Sequence, residues 1–140
     1  MYKARWHGKA VAVKQIKSSF FGSAIDLKGL QKETEEFQRE IAQMAALPYN
    51  ENVVQLHGTT MLDSGELAAV VEYCSAGSLS DALYGEKSKR REFDDDELIR
   101  LAHDAACGVL HLHRNDIVHR DVSCCFASSI SHLFDLTFTY

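Results

Sequence analysis

Three ionisable side chains stand in surroundings that could do chemistry: Lys14, Glu40 and Asp121. Lys14 closes the alternating run Val11-Ala12-Val13-Lys14. Glu40 sits within Phe37-Gln38-Arg39-Glu40-Ile41, and Asp121 within Ile117-Val118-His119-Arg120-Asp121-Val122. A lysine on its flexible four-carbon stem becomes a usable fixed charge only when a partner holds it. A carboxylate beside an apolar helix stripe can be that partner, and the pair then presents a cation to an anion such as a phosphate. An aspartate beside a hydroxyl can accept or orient its proton. Each residue taken alone has a plainer reading. A strand lysine usually faces solvent, Glu40 could be one more surface glutamate like Glu33, Glu35 and Glu36, and a lone His-Arg-Asp is unremarkable.

The elements that would position them follow from periodicity and turn chemistry. Tyr2–Trp6 and Lys9–Lys17 flank His7-Gly8 and read as a β-hairpin. After a polar loop around Ser18–Ser23, Leu30, Phe37, Ile41, Met44 and Ala45 recur at helical spacing from about Asp26 to Leu47. Pro48 ends that helix, because it disfavours helical geometry in the residue before it and lacks an N–H. Asn52–Thr59 and Leu67–Tyr73 read as strands about the turn Asp63-Ser64-Gly65. Gly77-Ser78 opens a short helix, Leu79–Leu83, and the charge run Glu86–Glu92 is a solvated loop. Asp94 with Glu97 predicts a capping box on a helix reaching about His113. Its apolar positions, among them Leu98, Ile99, Leu101, Ala102, Ala105, Ala106, Val109, Leu110 and Leu112, are too many for one face, so it expects partners on more than one side.

With 140 residues, 46% of them hydrophobic and 25% charged, the chain can build one ordinary core. Its net charge of −5 argues against binding nucleic acid by phosphate neutralisation. No apolar run approaches the roughly 18–20 residues that span a bilayer, and no signal sequence is evident at Met1–Trp6. Cys74, Cys107, Cys124 and Cys125 lack C-x-x-C spacing and read as reduced thiols, so a cytoplasmic location is expected. Cys124-Cys125 with the distant His132 makes a poor zinc set, and no metal site is assigned.

In order, spacing and local wording the chain resembles a eukaryotic protein kinase, most like the tyrosine-kinase-like group, over about residues 1–123. Val11-Ala12-Val13-Lys14 is similar to the V-A-I-K strand, and His119-Arg120-Asp121 to the H-R-D catalytic loop. The expected fold is therefore α+β, a protein-kinase-like N-lobe (residues 1–73) followed by the hinge and start of an incomplete helical C-lobe (74–123), with a divergent tail (124–140). The resemblance implies that Lys14, paired with Glu40, neutralises ATP phosphates, and that Asp121 is the catalytic base. It implies that Ala12 leaves room for adenine, that Val71 is the gatekeeper, and that backbone groups of Glu72 and Cys74 bind adenine. Ser78 and Asp81 would lie near the ribose. Met44, Leu56 and His119 would belong to a hydrophobic spine. ATP and a protein substrate are the implied partners, with Ser/Thr against Tyr specificity left open.

The resemblance also has gaps. Tyr2–Trp6 is similar to the strand after the glycine-rich loop, so ATP binding is expected to be weak or lost. Phe126 stands where the asparagine that binds Mg²⁺ is required, and Phe134-Asp135-Leu136 has the wrong order and spacing for D-F-G. The chain is expected to be a kinase fragment inactive on its own. Two other readings stay open: a non-catalytic interaction module using the exposed C-lobe helix, and a tail from 124 onward that arose from a faulty gene model.

Overall fold

Tyr2–Trp6 (β1) and Lys9–Gln15 (β2) pair antiparallel in the computed structural model, which describes residues 1–15, 27–87 and 90–119. Trp6 opposes Lys9, so the connection is the two-residue turn His7-Gly8, with φ of 48° and 79°. Positive φ at both central residues is the turn whose twist suits a hairpin. Glycine takes it freely, whereas His7 adopts it against the usual preference of a side-chain-bearing residue.

Leu67–Glu72 (β4) pairs with β2 on one side and with Leu56–Met61 (β3) on the other, giving a four-stranded antiparallel sheet in the order β1-β2-β4-β3. The central strand β4 is buried from Ala68 to Val71, which explains its unbroken apolar run. β3 begins later than the expected Asn52. Val53 and Val54 are buried but lie outside any strand, because the Asn50 side chain accepts from the Asn52 N–H and the Asn50 carbonyl accepts from the Val53 N–H, closing a turn. Between Leu56 and Gly58 the ladder slips by one residue, leaving His57 as a bulge.

Leu27–Ala46 forms α1, which packs against β3. Phe37, Glu40 and Met44 are its buried positions, spaced by three and four residues. Ala45, expected in the apolar stripe, is exposed because that position has turned past the buried face. The expected loop Ser18–Ser23, Asp121 and the tail from Cys124 lie outside the described residues, as do the side chains of Leu27, Lys28 and Leu30.

The chain divides into two compact units, Met1–Ala46 with Leu56–Tyr73, and Leu47–Gln55 with Cys74–Tyr140. In the second, Leu79–Tyr84 forms α2, capped by the Ser78 hydroxyl, which accepts from the Asp81 N–H at 3.0 Å. Asp95–Arg114 forms α3. Its capping box is complete: Asp94 accepts from the Glu97 N–H at 2.8 Å, and the Glu97 carboxylate accepts from the Asp94 N–H. The Glu97 carboxylate also pairs with Arg91. Acids fill the first turn of α3, and His111, His113 and Arg114 fill its last, both matching the helix dipole. Leu101 packs with Leu79, Phe93, Ala105 and Val109, and Leu112 is fully buried. Leu98, Ile99, Ala102, Ala106 and Leu110 remain exposed, so the broad apolar surface of α3 is only partly covered among the described residues.

Replacing Asp94 with alanine removes the side-chain half of the cap, the acceptor for the Glu97 N–H, and leaves the backbone N–H that Glu97 accepts from. Chemical denaturation is expected to show a loss of about 1 kcal/mol, with the helical signal of the remaining structure retained.

Candidate functional site

Strand alternation puts Ala12 and Lys14 on one face of β2, opposite the face of Val11 and Val13. In the ladder Lys14 is opposed by Ala69 and Ala12 by Val71. Ala69 is 2% exposed and small, which leaves the lysine stem free to rise over β4 instead of being pushed aside. Its ammonium reaches the Glu40 carboxylate of α1, with Nζ to Oε1 at 2.6 Å across 26 residues of chain. Glu40 is buried between the Phe37 and Met44 turns of its helix, while a quarter or less of the Lys14 side chain meets solvent.

Burying a carboxylate without a partner costs several kcal/mol, so Glu40 is tolerated at the centre of an apolar stripe because Lys14 neutralises it. Lys14 in turn loses the freedom of its stem. An ammonium carries three N–H donors, and the bond to Glu40 uses one. The pair therefore offers a positioned cation with donors left over for an anion, beside a wall kept low by Ala12 and closed by the buried Val71.

Glu72 ends β4, opposite Val11, and Tyr73 follows it with its ring 4.2 Å from the Lys3 ammonium. That cation–π contact was not visible in the sequence, because Lys3 in β1 and Tyr73 just after β4 belong to strands that are not neighbours in the sheet. These residues belong to the first unit. Cys74, Ser78 and Asp81 belong to the second. Cys74 is half-buried and is in no disulfide. The Ser78 hydroxyl oxygen is engaged in the α2 cap, which leaves its proton for donation, and Asp81 is exposed in the first turn of α2. The structure thus joins Ala12, Lys14, Glu40 and Val71 in one place, and Ser78 with Asp81 in another. Asp121 lies outside the described residues. Met44 and His119 are buried, and Leu56 is half-buried. No three His, Cys, Asp or Glu side chains converge to hold a metal among the described residues.

A family model described as protein tyrosine and serine/threonine kinase matches residues 1–125. The chain is 34% identical over 115 residues, 82% of its length, to the leaf rust 10 disease-resistance locus receptor-like protein kinase-like 1.3 of Arabidopsis thaliana. It is 33% identical over 124 residues, 87% of its length, to the serine/threonine-protein kinase CTR1 of the same plant. The chain spans 15% and 14% of those two relatives.

A double-mutant cycle on Lys14→Met and Glu40→Gln measures the pair. The coupling energy is expected at about 1–3 kcal/mol. Lys14→Met alone should cost more stability than the double variant, because it strands a buried carboxylate.

Proposed function

The chain belongs to the protein tyrosine and serine/threonine kinase family, and on that premise we propose that it carries part of an ATP:protein phosphotransferase site. The observation that supports this reading is the Lys14–Glu40 ion pair at 2.6 Å. In the proposed site the Lys14 ammonium holds the phosphates of ATP and Glu40 holds Lys14. Ala12 and Val71 bound the adenine, backbone groups of Glu72 and Cys74 hydrogen-bond it, and Ser78 and Asp81 face the ribose. Asp121 takes the proton of the substrate hydroxyl as that oxygen bonds to the γ-phosphorus, and the bond from the γ-phosphorus to the bridging oxygen breaks to release ADP. Membership of the tyrosine-kinase-like group and a cytoplasmic location complete the reading. The first is supported by the order, spacing and local wording of the motifs, the second by dependence on ATP and by cysteines that lack C-x-x-C spacing.

The residues present do not fit the metal that this chemistry uses. Phe126 offers a phenyl ring where the resemblance requires an asparagine ligand. Phosphoryl transfer depends almost wholly on positioning and charge neutralisation. The 140-residue polypeptide by itself is therefore read as a weak nucleotide binder without appreciable transfer. The alternative, a non-catalytic interaction module, is favoured by one observation: Leu98, Ile99 and Leu110 lie exposed on α3. The family match runs to residue 125, close to the change of composition at Cys124, which supports the further reading of a faulty gene model for the tail.

Titration with a fluorescent ATP analogue is expected to show weak binding that Lys14→Met reduces by about tenfold or more. Equal binding by the variant would remove Lys14 from the site. Incubation with radiolabelled ATP and a generic protein substrate should give no transfer above background, and Lys14-dependent transfer would overturn the inactive reading. For the interaction module, sedimentation should show association that Ile99→Glu abolishes, whereas a monomer at all concentrations with no partner recovered counts against it.

A further inference from the structure

Helix α3 carries a cluster of side chains that the nucleotide site does not use. His103 and Cys107 stand four residues apart on it, so both project from the same side. The Cys107 sulfur lies 3.6 Å from His103 Nε2 and 3.9 Å from Nδ1. The same ring also meets Asp104, with Nδ1 to Oδ1 at 3.2 Å. Among the described residues the cluster is open to solvent: the His103 side chain is 72% exposed and that of Asp104 40%. Cys107 is half-buried and in no disulfide.

Thiolate and imidazole are the donors that zinc takes most readily. Zinc bonds to sulfur at about 2.3 Å and to imidazole nitrogen at about 2.0–2.1 Å, and at the tetrahedral angle those lengths set the two donors about 3.6 Å apart. The 3.6 Å between Cys107 Sγ and His103 Nε2 is that span. A thiol–imidazole hydrogen bond holds the donors at this spacing, so an ion that takes the place of the thiol proton finds them already close. Asp104 decides which nitrogen is available. An ionised carboxylate only accepts, so Nδ1 carries the proton of the neutral ring and Nε2 keeps its lone pair. A carboxylate behind a ligating histidine also fixes the ring and raises its basicity. A small turn of the exposed ring about its Cβ–Cγ bond aims that lone pair at an ion seated against the sulfur.

We propose that His103 and Cys107 form a two-donor site for a thiophilic divalent cation, zinc above all, with Asp104 as the positioning residue of His103 and water as the remaining ligands. Binding releases the thiol proton to solvent as the sulfur–zinc bond forms, and Nε2 adds its lone pair. No oxidation state changes. The thiolate and the nearby Asp104 carboxylate together offset the two positive charges of the ion. Mg²⁺ takes oxygen donors and gives up its water reluctantly, so the same donor set selects against it. The site therefore differs in chemistry from the metal of phosphoryl transfer and does not rest on the nucleotide reading.

Zn²⁺ titrated into the reduced, isotope-labelled 140-residue chain should shift the backbone amides from His103 to Cys107 saturably, with a Kd of about 1–100 µM. Co²⁺ should give a thiolate-to-cobalt charge-transfer band that Cys107→Ser removes. Cys107→Ser and His103→Ala should each weaken zinc by about tenfold or more. Asp104→Ala should weaken it by about tenfold and, before any metal is added, move the His103 ring-nitrogen resonances toward the other tautomer. Cys124→Ser with Cys125→Ser should leave the α3 shifts in place, which separates this pair from the second possible thiol site. Absence of a saturable shift up to about 1 mM zinc, unchanged affinity in Cys107→Ser, loss of the shifts in the Cys124 and Cys125 variant, or an equal response to Mg²⁺ overturns the proposal.

Discussion

One buried carboxylate organises the first unit. Glu40 occupies the centre of the face that α1 turns toward the sheet, where Phe37 and Met44 would otherwise make an apolar stripe. A helix seated there is stable only in the rotation and register that bring Glu40 to a cation, and Lys14 is the cation that meets it. The pair therefore does for the helix what a cross-strand pair does for a hairpin: it removes the neighbouring registers by making them leave a charge unpaired. The same constraint acts on the strand, since Lys14 can lean toward α1 only because its neighbour in the ladder is Ala69.

Strand alternation then separates two kinds of surface. The face bearing Ala12, Lys14 and Val71 combines a small side chain, a fixed cation and a buried valine. The face bearing Val11, Val13 and Val70 is apolar at its floor and closed by the stacked rings of Trp6 and His57 from the two edges. β2 supplies both from consecutive residues, which is why the short run Val11-Ala12-Val13-Lys14 carries so much of the unit. A shift of one residue in its pairing would exchange the two faces completely.

The second unit rests on local rules to a greater degree. Its long helix starts at a complete capping box, carries acids at one end and basic side chains at the other, and holds Leu101 and Leu112 in packed surroundings. Those features stabilise α3 from within its own sequence. The exposed Leu98, Ile99 and Leu110 mark the part of the helix that its own unit leaves uncovered among the described residues. A helix so strongly capped keeps its shape with a face uncovered, and that face is then available to other apolar surface.

Much of this was legible in the residues. The hairpin at His7-Gly8, the long helix stopped by Pro48 and the Asp94–Glu97 cap depend on interactions between near neighbours, so the sequence by itself determined them. The wording around Lys14 and Asp121 pointed to the family for the same reason, since motifs are local. Other features are not local. Val53 and Val54 look like strand residues, yet the Asn50 turn competes for that backbone and wins, and nothing in β-branched content announces the competition. Glu40 was named as the partner of Lys14 by resemblance, while its residue context alone left it one glutamate among several, and only the fold brings the two charges to 2.6 Å. His57 meets Trp6 only because a bulge and the curl of a four-stranded sheet act together. Charge pairing and ring stacking between residues distant in the chain depend on how the elements pack, and tertiary structure alone decides that.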